Sequence, residues 1–295
     1  MRNQYYYFVT GLPALSIDDS KSSITPEQFL SDAKTHLSTK DYSLLLLLCL
    51  PDDIDDLLRI IYKKTDEGKP INECSLFFWQ TYVEQIKLKA ADSANHIGKD
   101  YQVYPDYLHR ICLGIFSAEE MPSYLETQHQ LLELVYQDNS RIGSKFLSQW
   151  FAYNRDMQNI LIAINGRHHN FPFAKYLIGH DDLTEKLSKS HAADFGMGKD
   201  NEVFESLLRN WEQNNILYRE RGYDILRWKW IDDHNFFSYF NIDRILGYYA
   251  QLRILNRWLS MDPALGKELL QDALDNMTSS FTFPEQFNVK SLSKK

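Results

Sequence analysis

Residues 146–169 carry the pattern that most restricts the fold of this chain. Their apolar side chains recur three and four positions apart, so at about 100° per residue they lie on one side of a helix. These side chains belong to Phe146, Trp150, Tyr153, Met157, Ile160, Leu161 and Ile164. Asp156 and Asn159 lie three residues apart on the flank of this stripe. The pattern predicts a long amphipathic helix with polar residues set into its packed side.

A second segment, residues 237–260, is built in a similar way. Its residues at 242, 245, 249, 252 and 259 are apolar or aromatic and have the spacing of a close helix–helix seam. Asn256 falls on that seam, where a polar side chain is usually a satisfied buried amide and can also fix the register. The shared design suggests that the chain contains related helical modules.

The low content of helix-breaking residues supports a helical protein. The 295 residues include 12 Gly and 9 Pro, which is below average usage and favours long helices over a turn-rich β architecture. Thr25-Pro26-Glu27-Gln28 predicts a helix start, with Thr25 as N-cap and Gln28 completing a capping box. Residues 5–9 are β-prone and are expected to form a short strand or an extended packed segment. The sequence therefore predicts an all-α, multi-helix bundle.

The length of the chain permits one large or two modest domains. We expect a single all-α domain over residues 1–295. Residues 186–201 contain small and polar residues with two glycines, which predicts a flexible internal connection. Residues 278–295 are expected to be a frayed tail.

Charge and cysteine content restrict the class of protein. The net charge is −8, from 40 acidic and 32 basic residues, which does not favour binding to nucleic acid. Cys49, Cys74 and Cys112 are far apart and lie in apolar contexts, so we interpret them as buried free thiols in a reducing compartment. The N-terminus lacks a signal-peptide pattern, and the apolar run at residues 44–50 is too short to span a bilayer. We therefore expect a cytoplasmic protein.

The sequence predicts no catalytic, cofactor-binding or metal-binding residue. It contains no phosphate-binding loop and no GxGxxG, HExxH, CxxC or GxSxG motif. His168-His169, with His180 and Asp181-Asp182, are potential metal ligands, but adjacent histidines on a helix point about 100° apart. Paired aspartates at 18–19, 52–53, 181–182 and 232–233 lie in predicted loops or helix starts, where Asp is favoured for capping.

Two aromatic clusters are candidate contact sites for a protein partner. The first is Tyr5-Tyr6-Tyr7 near the N-terminus. The second contains Trp228 and Trp230, with Lys229 between them and several arginines nearby. Base stacking with RNA is an alternative for the second cluster. We interpret its tryptophans as anchors of a helix end or contacts to a protein, with the basic side chains solvated.

The opening of the chain resembles an uncharacterised bacterial family whose genes lie among those of V/A-type ATPases. This resemblance rests on Tyr5-Tyr6-Tyr7, Gly11-Leu12-Pro13 and the sequence LSIDDSK at residues 15–21. The whole chain also resembles, more distantly, the C subunit of V/A-type ATPases, called subunit d in eukaryotic V-ATPases.

Three places carry this distant likeness. They are the Tyr-rich opening followed by Asp41-Tyr42, the segment with Phe146, Phe151, Asp156, Asn159 and Arg167, and the segment with Tyr248, Arg253, Asn256 and Arg257. The chain is shorter than most C subunits, and its Gly-Leu-Pro stands where they continue a helix.

The resemblance implies a mechanical role. A C subunit is a funnel of helical modules that caps the membrane rotor ring on the cytoplasmic side and holds the end of the central shaft. It couples ion or proton transport to ATP hydrolysis or synthesis without catalysing a reaction or binding a cofactor. The implied partners are the central-stalk subunits and the membrane rotor ring, which would place the chain at the inner face of the plasma membrane.

Two alternatives to this role stay open. One is a helical scaffold or assembly adaptor, and the other is an enzyme that uses His168, His169 or the aspartate pairs. For Asp156, Asn159, Arg167 and Asn256 we expect a structural network that sets how helices pack. Asp156→Ala is then expected to cost about 1–3 kcal/mol of stability if a buried partner loses its hydrogen bond.

Overall fold

The computed structural model describes residues 3–65, 70–138, 143–197 and 201–261. Within these ranges the chain forms twelve α-helices and no strand, which confirms the all-α prediction. The helices are α1 (Tyr6–Thr10), α2 (Pro26–His36), α3 (Thr39–Leu47), α4 (Leu50–Ile61), α5 (Glu73–Ala91), α6 (Asp106–Ser117), α7 (Tyr124–Asp138), α8 (Lys145–His168), α9 (Asp182–Lys189), α10 (Glu202–Trp211), α11 (Ile216–Asn235) and α12 (Ile242–Leu259). Short 3₁₀ turns occur at Lys99–Tyr101 and Phe173–Tyr176.

Local capping sets several helix starts. The predicted capping box before α2 is confirmed, because the Thr25 hydroxyl accepts from the Gln28 amide at 3.2 Å and the Gln28 side chain accepts from the Thr25 amide at 3.0 Å. Polar N-caps also precede α3, α5, α8 and α9, where Ser38, Asn72, Ser144 and Asp181 accept a backbone N–H. These contacts satisfy N–H groups that a helix leaves unpaired in its first turn.

The prediction of a strand or extended segment at residues 5–9 is wrong. The chain forms α1 there, and Phe8 is buried with its ring 5.6 Å from Phe29 and 5.3 Å from His36. The Thr10 hydroxyl donates to the Tyr6 carbonyl at 2.8 Å. Burial of Phe8 against α2 thus decides the local conformation over the β preference of the aromatic run.

The core around α8 collects apolar side chains from four helices. Met157, Ile160 and Ile164, which belong to the predicted stripe, are buried against side chains of α9, α10 and α11. Those partners include Leu187, Phe204, Leu207 and Tyr223. The helix therefore packs by the side that its periodicity indicates.

Two other expectations differ from the structure. Cys112 is buried, but Cys49 is only half-buried and Cys74 is exposed on α5. Helix α9 continues to Lys189, so within the described residues the predicted connection at 186–201 starts after that helix.

The chain divides into two compact units, Met1–Asn256 and Arg257–Lys295. The described part of the second unit ends at Met261, so the predicted tail at 278–295 lies outside the described residues. The single-domain assignment stays a prediction. None of the described helices combines the length and the hydropathy that a membrane span requires.

Candidate functional site

Asn159 joins α8 to the chain segment that follows it. Its side chain is fully buried, donates to the Ile178 carbonyl at 2.9 Å and accepts from the Ile178 amide at 2.8 Å. A carboxamide can satisfy both backbone groups of one residue in this way. Ile178 lies outside any helix, so its backbone groups have no helical hydrogen bonds. Asn159 therefore supplies both hydrogen bonds.

Asp156 reaches the same segment through Arg155. The Arg155 guanidinium lies 2.7 Å from Asp156 Oδ1 and 2.6 Å from Asp181 Oδ2. Asp181 is the N-cap of α9 and accepts from the Thr184 amide at 3.0 Å. Burial raises the pKa of Asp156, and Arg155 opposes that shift. Arg155 therefore connects α8 to the start of α9, because its guanidinium pairs with both Asp156 and Asp181.

Arg167, at the C-terminal end of α8, holds residues 190–195. Its guanidinium donates to the carbonyls of Ser190 and Ala192 and lies 3.4 Å from the centre of the Phe195 ring. Phe195 is buried although its φ is +54°, a conformation uncommon for a bulky residue. The contacts of Arg167 and the burial of the ring together stabilise this conformation.

Two of the four predicted network residues, Asn159 and Arg167, thus bond directly to one stretch of chain, residues 178–192. Asp156 contacts this stretch only through Arg155, which pairs with Asp181. Asn256 lies half-buried on α12 and is not among the described partners of those side chains.

The two tryptophans suggested as partner contacts pack inside the chain. Trp228 is only 9% exposed. The ring of Trp230 lies 5.6 Å from Trp150, 5.2 Å from Tyr153 and 3.7 Å from His234. We therefore assign both side chains to the packing of α11, with Trp230 joining it to α8, because their ring surface is used within the chain.

The histidines considered as metal ligands have other partners. The rings of His168 and His169 are 4.5 Å apart, and His168 also packs on Trp211 at 4.9 Å. His180 Nε2 lies 3.8 Å from a carboxylate oxygen of Glu133. Across the described ranges, no three His, Cys, Asp or Glu side chains are grouped so that they could hold a metal ion.

The N-terminal tyrosines divide into one anchor and two exposed rings. The Tyr5 hydroxyl donates to the Asp41 carboxylate, and the Tyr5 amide donates to the Phe240 carbonyl at 2.7 Å. Tyr6 is 57% exposed and Tyr7 is 83% exposed. The Tyr6 ring lies 4.5 Å from the Phe240 ring, so α1 lies beside the turn between α11 and α12.

This turn adds three exposed aromatic side chains that the sequence analysis missed. Phe236, Phe237 and Tyr239 are 69%, 82% and 64% exposed. We use the name aromatic surface for these three side chains and for Tyr6 and Tyr7 on α1, because the two segments adjoin at the ring contact between Tyr6 and Phe240. The signal that could have revealed it is the run FFSYF at residues 236–240, which follows the apolar pattern of α11 and precedes that of α12.

The aromatic surface lies on two uncharged stretches. Residues 3–10 and 235–242 contain no Asp, Glu, Lys or Arg, although such residues make up 24% of the chain. Exposed apolar groups gathered in one place mark an interaction site, and the cores of protein interfaces are enriched in aromatic residues and depleted of charge. The arrangement is therefore suited to contact with another protein.

A second exposed apolar group begins the same helix. Ile216, Leu217 and Tyr218, in the first turn of α11, are 68%, 55% and 70% exposed. We call these three residues the α11 start surface. Because α11 has 20 residues, it is about 30 Å long, with the aromatic surface following its other end.

A sequence model of a protein family, described as protein of unknown function (DUF2764), matches residues 1–280. No curated protein and no solved structure matches the chain.

Proposed function

This chain belongs to the DUF2764 family, whose function is unknown, and we propose that it is a non-catalytic coupling subunit of a V/A-type ATPase. In this role it binds one protein partner at each end of α11 and transmits force between them. The partners are the central shaft and the membrane rotor ring.

One observation carries the coupling role: a single helix has an exposed apolar surface at each end. The α11 start surface and the aromatic surface are separated by the length of a 20-residue helix, about 30 Å. Exposed apolar groups of this kind lose unfavourable contact with water when a partner covers them. A helix with one such surface at each end is suited to connecting two proteins.

The middle of α11 is held firmly, as force transmission requires. Trp230 packs against α8, and Arg227 Nε donates to Asn154 Oδ1 on α8 at 2.9 Å. The Arg227 guanidinium also lies 2.9 Å from the buried carboxylate of Asp224, one turn earlier on α11. Rotation of α11 against α8 would therefore break ring packing and hydrogen bonds together.

The chemistry of the aromatic surface favours a protein over a nucleic acid or an anionic lipid surface. Nucleic acid and anionic lipid are bound mainly through Lys and Arg. The stretches that carry the aromatic surface have neither, and the chain has a net charge of −8. An uncharged partner surface with exposed apolar side chains fits this composition better.

The identity of the partners rests on the resemblance to the ATPase C subunit and on the residues that carry it. Two of those residues, Tyr6 and Tyr7, belong to the aromatic surface. Others, such as Asn159 and Arg167, hold α8 to residues 178–192. The residues that carry the resemblance thus include exposed aromatic side chains and side chains that hold α8 to the following segment.

Affinity purification of the tagged full-length chain from its native cell tests this function. We expect the wild-type chain to retain shaft and rotor-ring subunits in stoichiometric amounts. The double variant Tyr7→Ser/Phe237→Ser should lose one of these partners without a change in melting temperature, because both rings are more than four-fifths exposed. Leu217→Ser/Tyr218→Ser should lose the other partner.

A matched control is Phe77→Ser, which removes a ring that is 74% exposed on α5, away from either surface in the sequence. This variant should retain both partners. Recovery of the wild-type chain without any ATPase subunit would contradict the proposal. Recovery with assembly intermediates but not with the active complex would instead support an assembly adaptor.

A further inference from the structure

The second half of α11 exposes four side chains on one side of the helix. Ile225 is 47% exposed, and Phe236, which follows the helix with a helical backbone, is 69% exposed. Lys229 and Asp232 lie between them and are also exposed. At 100° per residue the four positions fall within about 60° of one another. These four residues, which we call the α11 face, thus place two opposite charges between two apolar side chains.

Two side chains of the α11 face are held in place within the chain. Asp232 Oδ1 accepts a hydrogen bond from Gln251 Nε2 on α12 at 2.7 Å. The ring of Phe236 packs edge-on against the ring of Phe237, with 4.9 Å between their centres. A partner that binds this face therefore pays less of the entropy of ordering side chains.

The α11 face is complementary to itself when two copies of the helix pair antiparallel. If the pair is centred between Trp230 and Ile231, each residue faces the one at the same distance beyond the centre. Ile225 then faces Phe236 of the second copy, and Lys229 faces Asp232 of the second copy. Because a twofold axis relates the copies, each contact occurs twice. The face therefore offers a second copy two apolar contacts and two ion pairs.

Other occupants fit the α11 face less well. A parallel pair in register would set Lys229 against Lys229 and Asp232 against Asp232, and these like charges repel. Nucleic acid and anionic lipid are bound mainly through Lys and Arg, whereas Asp232 and the exposed Asp233 would face them here. Charge complementarity thus favours a second copy in the antiparallel arrangement.

We infer that the α11 face binds a second copy of this chain, with α11 antiparallel to α11. The four side chains span about 17 Å of helix. A standard interface uses about 20–30 residues on each side, so a contact centred on this face is weak and depends on concentration. The isolated chain is therefore an equilibrium of monomer and dimer.

Self-association does not require either partner of the proposed function. Phe236 also belongs to the aromatic surface, so a partner that covers this ring excludes the second copy. This competition alone rests on the proposed function, and it makes the dimer the form of the chain outside the complex.

Light scattering of the purified full-length chain between about 1 and 100 μM tests the dimer. We expect the mass to rise with concentration from 34.8 kDa toward twice that value. Lys229→Glu places a carboxylate against Asp232 of the second copy and should raise the dissociation constant about tenfold. The matched control Lys186→Glu, which reverses an exposed charge on α9, should associate like the wild type.

Mixing two variants tests the antiparallel pairing directly. Lys229→Glu chains repel one another, as do Asp232→Lys chains, but the two kinds of chain face each other with opposite charges. An equimolar mixture should therefore dimerise like the wild type, and so should the double variant Lys229→Glu/Asp232→Lys. If Asp232→Lys lowers the melting temperature through loss of the Gln251 contact, the comparison of Lys229→Glu with Lys186→Glu decides.

Three results would overturn the inference. They are a wild-type mass of 34.8 kDa throughout the concentration range, equal association of Lys229→Glu and Lys186→Glu, and a mixture of folded variants that associates no more than its components. Loss of dimers in Phe77→Ser but not in Lys229→Glu would also overturn it, because the contact would then lie on α5. The purified chain contains no ATPase subunit, so these results are separate from those of the affinity purification.

Discussion

The side-chain amide of Asn159 pairs with both backbone groups of Ile178, at 2.9 and 2.8 Å. This contact fixes the path of the chain after α8, because residue 178 lies outside any helix and its peptide groups need partners. The position of α9 depends on it, since that helix begins four residues later, at Asp182.

Asn159→Ala should destabilise the protein by about 2–4 kcal/mol, because it leaves a buried N–H and a buried C=O without partners. Denaturant unfolding measures the change. Gln149→Ala, at an exposed position on the same helix, is the matched control and should stay within about 0.5 kcal/mol of the wild type. Equal stability of the two variants would contradict a structural role for Asn159.

Asp156→Ala should lower the free energy of unfolding by less than about 1 kcal/mol, which is a smaller loss than the sequence alone indicated. The Asp156 side chain is 38% exposed, and its partner Arg155 keeps Asp181 at 2.6 Å when Asp156 is removed. Arg155→Ala should cost more, because it leaves both carboxylates without their cation. If thermal unfolding ranks these variants in the opposite order, the assignment of Arg155 as the joint is wrong.

Gly166→Ala should destabilise the protein by about 1–3 kcal/mol through overpacking. A Cβ at this position in α8 would lie 2.4 Å from the Cβ of Phe173, so the 3₁₀ turn would have to move. In Gly114→Ala, the added Cβ on α6 meets nothing within 4 Å. That control should gain up to about 1 kcal/mol from helix propensity. Melting temperatures of the two variants should therefore shift in opposite directions.

The three thiols should react with a disulfide reagent at very different rates. Cys74 is exposed and should react first, whereas Cys112 is buried and burial raises the pKa of its thiol to about 12. Burial also raises the pKa of Cys49, which should therefore react slowly. Reactivity follows the thiolate form and its exposure. We expect one fast-reacting thiol per native chain and three after denaturation. Fast reaction of Cys112 in the native chain would contradict its burial.

Much of the helical framework could be predicted because its signals are local. The capping box at Thr25 and Gln28 specifies the start of α2 within four residues, and the 3–4 spacing of apolar side chains predicts α8 and α12. Residues 5–9 are the exception, because the burial of Phe8 against α2 involves residues that are distant in the chain.

The candidate site was less predictable, since it depends on which side chains stay uncovered. Tyr5, Tyr6 and Tyr7 look equivalent in the sequence, yet Tyr5 is anchored to Asp41 while Tyr7 is 83% exposed. The sequence left Trp230 as either an anchor of a helix end or a contact to a protein, and in the structure its ring packs against α8.

The sequence by itself determined the class of fold, because helix periodicity and capping act between residues a few positions apart. Only the tertiary structure decided that Asn159 is buried while Asp156 is partly exposed, and that the segment with the exposed rings of Phe236 and Phe237 adjoins α1, where Phe240 contacts Tyr6. Exposure and charge pairing depend on contacts between segments far apart in the chain. The pairing of Arg253 with Asp52, for example, joins residues about 200 positions apart.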